Sequence, residues 1–308
     1  MRDVSHKATT LRIATARAEL RMRPQTVALI REGKVPKGDP LPVSRVAAVQ
    51  AAKNTPQLIP YCHPVPIDFV GVEFELGKDF VSSTCTVKAI YKTGVEMEAL
   101  AGAMASALNL YDMLKMVDED LEIASVRLLA KSGGKSDFLP VRSARAGILV
   151  VSDSVFAGKS EDLSGAVLKE GLEERGIEVS SLRVSPDDPE RIAREIGALC
   201  DEERLDLVVA TGGTGVGPRD LTPEAVRPLL DRELPGVAEA IRAYGQARNP
   251  YAMLSRSLAG VRGDAVIVCL PGSPSAVSDA LAVLFPHVLH ALRVMTGARH
   301  DAEEAKAQ

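Results

Sequence analysis

The sequence predicts an α+β domain followed by an α/β domain, the second with three layers and a mostly parallel sheet. A chain of 308 residues is longer than one typical domain and suits two. Glycine, serine and charged residues cluster at 132–143, which is typical of a domain boundary. Before this segment a hairpin pattern accompanies helices, and after it strands and helices alternate. We therefore expect domains at 1–137 and 146–308, joined by a linker at 138–145.

The first half has the pattern of a mixed domain. Two runs of alternating apolar and polar residues flank Gly77-Lys78-Asp79, which predicts a β-hairpin. A segment rich in Ala, Leu and Met predicts a long helix. The expected helices span 15–33, 44–52 and 94–117, and the expected strands span 69–76, 80–90 and 121–129. Helices beside an antiparallel sheet are typical of the α+β class.

Four apolar segments in the second half predict parallel strands, over 146–151, 179–184, 205–210 and 265–270. Helix N-caps are expected at Asp188, Thr222 and Ser273, because proline follows each of them. Loops after parallel strands meet at one edge of the sheet, where such proteins bind ligands. That edge would bring together Asp153, Asp187, the loop containing Asp220, and the pair Gly272-Ser273.

The loop after the third strand has four glycines between Gly212 and Gly217, followed by Arg219 and Asp220. Glycines let backbone N–H groups converge on an anion, because no Cβ blocks close approach. Asp220 is placed to hold a divalent cation against phosphate. The loop lacks the Gly-Lys-Ser/Thr of a Walker A motif and the GxGxxG of a dinucleotide site. It therefore predicts a phosphate site of another kind, the alternative being a tight strand-to-helix turn.

Composition narrows the expected partners to small anionic molecules. The net charge of −4, the absence of Trp and an aromatic content of 4% argue against nucleic acid as a binding partner. No apolar run has the length of a membrane span and no secretory signal begins the chain, so we expect a cytoplasmic protein with no membrane partner. The four cysteines lack CxxC spacing, which indicates reduced thiols without zinc or disulfides: Cys62, Cys85, Cys200 and Cys269.

The second half resembles the MogA/MoaB molybdopterin-binding family over about residues 146–297. The resemblance lies in Thr211-Gly212-Gly213-Thr214-Gly215, in Arg219-Asp220-Leu221-Thr222-Pro223-Glu224 and in Leu270-Pro271-Gly272-Ser273-Pro274. It implies transfer of an adenylyl group from Mg-ATP to molybdopterin, with Asp187 and Asp220 as catalytic acids that also bind Mg²⁺. The implied ligand-binding residues are Asp153, Gly212, Gly213, Thr214, Gly215, Gly272 and Ser273.

Two questions stay open in this half. Asp188 adjoins Asp187, so the alignment with the family's acid is ambiguous by one position, although the capping role of Asp188 leaves Asp187 free for chemistry. The domain is also compatible with a molybdopterin-binding or scaffold module that does not adenylylate its ligand. Another nucleotide-dependent transferase on the same fold is a broader alternative.

Ionisable residues in the first half lie mostly in short polar breaks between ordered segments. His63 is expected to be partly buried, because Leu58-Ile59-Pro60 precedes it. Asp112 and Lys115 are three residues apart on a helix, a spacing typical of a surface ion pair. Glu98 and Asp112 are about 21 Å apart along the same helix, so that helix alone cannot unite them at a single site.

Together these segments resemble the MoaC family, cyclic pyranopterin monophosphate synthase, over 3–136. The matching motifs are Lys37-Gly38-Asp39, Leu58-Ile59-Pro60-Tyr61-Cys62-His63-Pro64, Lys92-Thr93-Gly94-Val95-Glu96-Met97-Glu98, Tyr111-Asp112-Met113 and Lys131-Ser132-Gly133-Gly134-Lys135. The resemblance implies conversion of (8S)-3',8-cyclo-7,8-dihydroguanosine 5'-triphosphate to cyclic pyranopterin monophosphate with release of pyrophosphate.

The same resemblance implies roles for individual residues. Lys37 and Lys131 would act as general acid and base, and Asp112 would orient groups or accept protons. The implied substrate-binding residues are Arg12, Lys53, His63, Glu96, Glu98, Lys115 and Lys135. A ferredoxin-like fold is also implied, together with a homo-oligomer of threefold symmetry, a trimer or hexamer, whose sites are shared between subunits.

Overall fold

A computed structural model describes residues 1–134 and 144–295 of the chain. The chain divides into two compact units, Met1–Asp137 and Phe138–Gln308. Lys135, most of the predicted linker and the polar tail lie outside the described residues. The first strand of the second unit begins at Arg145, and Ala144 before it is buried, so the described end of the predicted linker is part of that unit.

The first unit is an antiparallel sheet of four strands with helices packed against it. Its elements are β1 (Thr10–Arg21), α1 (Pro24–Arg31), α2 (Pro40–Lys53), α3 (Thr55–Leu58), β2 (Phe69–Leu76), β3 (Phe80–Tyr91), α4 (Glu96–Leu114) and β4 (Glu122–Ser132). The strand order is β2-β3-β1-β4. The predicted hairpin is confirmed, since Phe69 pairs with Lys88 and Leu76 with Val81.

The helix expected over residues 15–33 is wrong in its first part, because residues 15–21 belong to the strand β1. Ala14, Ala16, Ala18 and Leu20 are buried, and the polar residues between them point to the other face. This alternation has the period of a strand, but three alanines suggested a helix because alanine favours helices. Only Pro24–Arg31 is helical. Small side chains on β1 let α2 and α4 lie close to the sheet.

The second unit is a sheet of six strands between two layers of helices, as predicted. Its strands are β5 (Arg145–Val151), β6 (Glu178–Ser185), β7 (Leu207–Thr211), β8 (Arg232–Glu233), β9 (Leu258–Arg262) and β10 (Ala265–Leu270). Its helices are α5 (Asp153–Phe156), α6 (Leu163–Glu173), α7 (Pro189–Asp201), α8 (Thr222–Val226), α9 (Pro235–Gln246), α10 (Pro274–Leu284) and α11 (His290–Met295).

The strand order β6-β5-β7-β10-β9-β8 is parallel through its first four members. The last two strands are antiparallel and were absent from the prediction. One face of the sheet packs on α6, α9 and α10, and the other packs on α7 and α8. Among the described residues no single helix is long and apolar enough to cross a membrane; α10 and the following helical segment meet that test only as a pair bent by 58°.

Candidate active sites

Loops following β5, β6, β7 and β10 meet at the carboxyl edge of the parallel strands. The N–H of Gly212 donates to the carbonyl of Leu270 at 3.1 Å, and Thr211 Oγ1 donates to the carbonyl of Pro271 at 2.8 Å. A methyl group built on Gly272 would lie 3.1 Å from the Cα of Gly212. The topology therefore places the glycine loop, residues 211–220, directly against the Gly272 turn.

Asp153 and Asp187 join the first two of these loops. The N–H of Asp153 donates to Asp187 Oδ2 at 3.1 Å, and the N–H of Asp187 donates to Asp153 Oδ1 at 3.0 Å. Arg219 of the glycine loop forms an ion pair with Asp153 Oδ2. Asp153 therefore connects three loops, a role that its predicted position after β5 made possible.

The Asp187 carboxylate faces the glycine loop. A methyl group built on Gly213 would lie 3.4 Å from Asp187 Oδ1. Burial raises the pKa of Asp187, and the charges of Asp153 and Asp220 add to that effect. The hydrogen bond from the Asp153 backbone and the charge of Arg219 lower the pKa of Asp187 and so oppose the shift.

Asp188 has a different task, and its predicted capping role is confirmed. Its Oδ1 accepts the N–H of Arg191 at 2.8 Å at the start of α7. The side chain that reaches the loop is therefore that of Asp187. The predicted cap at Ser273 is confirmed too, since Ser273 Oγ accepts the N–H of Ala276 at 3.3 Å.

The glycine loop curls around the Asp220 carboxylate. Gly217 N–H donates to Asp220 Oδ2 at 2.7 Å. Methyl groups built on Gly215 and Gly217 would each lie 2.7 Å from that oxygen, a separation that Cβ atoms do not adopt. A side chain at either of these positions would displace the Asp220 carboxylate, whereas Gly212 and Gly213 are required by backbone φ angles of +107° and +62°.

Thr222 anchors the loop, and its predicted N-cap role is wrong. The helix begins at Thr222 itself, and no side chain caps it. The fully buried Thr222 donates instead through Oγ1 to the carbonyl of Gly212 at 2.8 Å, and its N–H donates to the carbonyl of Gly213 at 3.0 Å. The hydroxyl satisfies a carbonyl that the tight turn would otherwise leave without a partner.

Arg256 holds the other side of the glycine loop and was not among the predicted site residues. Its Nε donates to the carbonyl of Gly215 at 2.7 Å, and its guanidinium also contacts the carbonyl of Asp220 and the carboxylate of Glu224. Its N–H donates to the carbonyl of Thr214 at 2.8 Å. The pair Ser255-Arg256 is part of the resemblance to the MogA/MoaB family, but nothing in the sequence pattern indicated that Arg256 contacts the glycine loop.

A cavity of about 500 Å³ opens beside the glycine loop. Its lining includes Gly213, Thr214, Gly215 and Asp220 at one side, together with Gly272 and Ser273. Residues of α9, α10 and the 3-10 helix Pro250–Leu254 form the remaining wall. Asp153 and Asp187 are not among the residues that line this cavity.

The donor set at this edge suits a hard divalent cation. Carboxylate oxygens are the side-chain ligands that Mg²⁺ prefers, and both Asp187 and Asp220 present them at the glycine loop. Within residues 1–134 and 144–295 no cluster of three or more His, Cys, Asp or Glu side chains is arranged to hold a metal by itself. Substrate phosphates would have to complete the coordination.

In the first unit the predicted residues occupy two opposite ends of the fold. At one end Lys37 Nζ lies 3.1 Å from Asp112 Oδ2 and donates to the Asp112 carbonyl at 2.8 Å. Lys115 Nζ lies 2.7 Å from Asp112 Oδ1, which confirms the expected ion pair. Hydrogen bonds from Lys115 and then Lys37 lower the pKa of Asp112, and Asp112 raises the pKa of Lys115.

The other end lies where α4 begins. Arg12 donates to the carbonyls of Tyr91 and Lys92, both at 3.3 Å, and Lys131 Nζ lies 3.4 Å from Glu96 Oε1. Lys53 is exposed at the end of α2. Ser44, early in α2, accepts a hydrogen bond from Asn109, late in α4, so the two helices run antiparallel and the end of α2 lies near the start of α4. His63 is half-buried, as expected.

Glu98 is a buried acid at this same end. Its side chain accepts a hydrogen bond from Cys62 Sγ at 3.4 Å, and its Oε2 has no hydrogen-bond partner among the described residues. Burial raises the pKa of Glu98, and burial together with the Glu98 charge raises the pKa of the Cys62 thiol to about 11. Burial at this end therefore disfavours the charged form of both groups.

The two ends do not meet within one chain. Glu96 and Asp112 lie near opposite ends of α4, about 24 Å apart along its axis. The structure thus groups Lys37, Asp112 and Lys115 separately from Arg12, Glu96 and Lys131.

Comparison with known proteins gives the same division of the chain. Residues 1–134 match the MoaC family, and residues 147–291 match a probable molybdopterin binding domain. A cyclic pyranopterin monophosphate synthase of Pelobacter propionicus is 51% identical over 138 residues, covering 44% of this chain and 86% of that protein.

Two relatives match both units together. A molybdenum cofactor biosynthesis bifunctional protein of Chlorobaculum tepidum is 45% identical over 300 residues, which is 97% of this chain and 96% of that protein. One of Synechococcus elongatus is 38% identical over 316 residues, which is 97% of this chain and 98% of that protein. The chain therefore belongs to the family of bifunctional molybdenum cofactor biosynthesis proteins, which join a MoaC-family unit to a molybdopterin-binding unit.

Proposed function

We propose that the chain performs two separate steps of molybdenum cofactor biosynthesis. The first unit converts (8S)-3',8-cyclo-7,8-dihydroguanosine 5'-triphosphate to cyclic pyranopterin monophosphate and pyrophosphate, an activity that its membership of the MoaC family supports. The second unit transfers the adenylyl group of Mg-ATP to molybdopterin and also releases pyrophosphate. The steps are not consecutive, because sulfur insertion lies between them, so direct transfer of an intermediate is not implied.

The observation that carries the second activity is a pair of carboxylates at the glycine loop, Asp220 within it and Asp187 facing it from the loop after β6. The N–H groups of the loop hold phosphate oxygens in place, and the Gly272 turn with Ser273 holds those of the second substrate. Mg²⁺ bound by the two carboxylates and the nucleotide would neutralise charge on the transferring phosphoryl group. Positioning a ligand phosphate in line with the α-phosphorus is the work of the chain itself.

A test of this activity uses two neighbouring variants of the full chain. Asp187→Asn should abolish formation of adenylylated molybdopterin from molybdopterin and Mg-ATP. The matched control Asp188→Asn should retain it, because asparagine caps helices as well as aspartate does. Wild-type protein that binds molybdopterin without forming product would establish the alternative, a binding or scaffold module. Full activity of Asp187→Asn would remove Asp187 from the catalytic residues.

For the first unit we propose that each site combines the two ends of the fold from different subunits. Lys37 and Lys131 transfer protons, Asp112 orients Lys37, and Arg12, Lys53 and His63 bind the triphosphate. Lys115, Glu96, Glu98 and Lys135 complete the substrate contacts. The separation along α4 supports this arrangement, because one chain does not bring the two lysines together.

Complementation between two inactive variants tests the shared site. Lys37→Ala and Lys131→Ala should each lose synthase activity while retaining their assembly. Oligomers that contain both variant chains should recover part of the activity, because some sites then receive an intact residue from each chain. Mixed oligomers without activity would refute sharing and leave the synthase assignment in place.

The fold of the first unit and the oligomeric state of the chain complete the proposal. A ferredoxin-like arrangement of the first unit is supported by its strand–helix–strand–strand–helix–strand order and by the antiparallel order β2-β3-β1-β4. We further propose a homo-oligomer with threefold symmetry, as a trimer or hexamer. Native mass measurement should give a multiple of three chains, and a strictly dimeric particle would reject the symmetry.

A further inference from the structure

The cavity beside the glycine loop holds a second carboxylate that the proposed chemistry does not use. Asp220 and Asp279 are the two acids that line it within the described part of the chain. Asp220 belongs to the glycine loop, whereas Asp279 lies on α10, near its middle. The cavity therefore has an anion-binding side and a separate acidic site.

The distance between these two sides can be estimated from the helix. Ser273 caps α10 at the phosphate-binding turn, and Asp279 follows six residues later. At 1.5 Å per residue this places Asp279 about 9 Å along the helix axis from the turn. A flat bicyclic ring with a phosphorylated side chain has a comparable span.

The wall around Asp279 can accept a flat ring. Gly245 of α9 and Ala276 of α10 line the cavity with little side-chain volume, and Ile241 and Leu254 supply apolar surface. A methyl group built on Gly245 would lie 3.0 Å from the Cβ of Ala252, so the glycine lets the 3-10 helix Pro250–Leu254 pack closely on α9. The lining thus combines small and apolar residues with a few polar ones, Arg242, Asn249 and Ser275 among them, a mixture typical of small-molecule sites.

Asp279 itself is partly buried and only loosely paired. Its Oδ1 lies 3.5 Å from Nε of Arg248, and its side chain is 28% exposed. Burial raises the pKa of Asp279, and the positive charge of Arg248 opposes the change. A carboxylate of this kind accepts two N–H donors from a ligand at one edge.

We propose that Asp279 is a specificity-determining residue that binds the N–H edge of a pterin and excludes adenine from this cavity. The proposal rests on the function assigned to the second unit. A pterin presents its 2-amino group and the neighbouring ring N–H as two adjacent donors, which match the two carboxylate oxygens. Adenine presents a donor beside the acceptor nitrogen N1, whose lone pair would face a carboxylate oxygen. Discrimination against adenine would be strong, because a bound adenine would leave a carboxylate oxygen of the site without a hydrogen-bond donor.

Asp279→Asn in the full chain tests the assignment, because the change is isosteric and replaces one acceptor by a donor. We expect the KM for molybdopterin to rise by about tenfold or more, the scale of losing one charge-assisted hydrogen bond, with the KM for ATP unchanged. Asp264→Asn, the same substitution at an exposed turn, is the control and should change neither constant. A rise in the KM for ATP alone, or no change in either constant, would overturn the proposal.

Direct binding of molybdopterin separates this inference from the adenylylation activity. If wild-type protein makes no adenylylated product, equilibrium binding of molybdopterin should still weaken by about tenfold in Asp279→Asn. A pterin monophosphate lacking the 2-amino group keeps the ring N–H but loses one of the two donors, so the substitution should weaken its binding less than that of molybdopterin. A loss as large as that for molybdopterin would refute recognition of both donors by Asp279. Asp279→Ser serves the same comparisons if the asparagine variant is unstable.

Discussion

Replacing Gly212 by alanine should damage the second unit more than any ordinary glycine-to-alanine change. The φ of +107° at Gly212 costs an L-residue about 1–3 kcal/mol. The new methyl group would also collide with the carbonyl oxygen of Val151 and lie 3.1 Å from its carbonyl carbon. Both atoms belong to the end of a buried strand and cannot rotate away, so overpacking adds about 1–3 kcal/mol. We expect a total loss of about 3 kcal/mol or more.

Gly263→Ala is the matched control for this prediction. Gly263 also has a positive φ, +54°, but a methyl group there would meet nothing within 4 Å. It should lose only about 1 kcal/mol, the cost of the left-handed conformation. Urea unfolding of the full chain, fitted with one transition per unit, measures both values. Equal losses in the two variants would refute the close approach of Gly212 to Val151.

Two further predictions concern the loop clamp and the buried acid. Arg256→Ala should slow adenylyl transfer by about tenfold or more, because two contacts with the loop and one with Glu224 disappear. Unchanged kinetics would show that the loop keeps its shape without them. Glu98→Gln removes a buried charge, so it should raise the free energy of unfolding of the first unit by about 1 kcal/mol at pH 8. The gain should be smaller at pH 5, and thermal unfolding of variant and wild type at the two pH values measures it. Because folding raises the pKa of Glu98, the contribution of this residue to wild-type stability is fully present below its unfolded pKa and is lost as the pH rises through its folded pKa. A stabilisation by Glu98→Gln that is larger at pH 5 than at pH 8 would contradict this prediction.

Much of the fold was predictable where a segment carries a strong local pattern. The hairpin, the long helix α4 and the four parallel strands are confirmed because apolar periodicity and turn residues agree there. Strand β1 was missed because its buried residues are mostly alanines, and alanine has a high helix propensity. In the folded unit their small side chains lie beneath two helices. The short β8 pairs with β9, which lies far along the chain, and local sequence does not encode such a contact. Strand β9 forms a hairpin with β10 across Gly263-Asp264, a local turn signal that the prediction overlooked.

The candidate site was predictable to the level of loops but not of contacts. Asp187 and Asp188 were distinguished by helix capping, which depends only on the next few residues. Thr222 was misassigned because the same cue, a threonine before proline, also suits a hydroxyl that bonds to a preceding glycine carbonyl. Arg256 lies 36 residues beyond Asp220, so only the folded chain brings its guanidinium to the loop.

The different sheets of the two units explain why one candidate site is contained in a chain and the other is divided. Parallel strands send every carboxyl end to one edge, so Asp153, Asp187 and Asp220 arrive together whatever their distance in sequence. Antiparallel strands alternate in direction, and α4 spans the whole first unit. Residues at its two ends therefore cannot converge unless another copy supplies one of them. The topology of the first unit thus supports our proposal that its sites are shared between subunits, and the parallel topology of the second unit needs no such proposal.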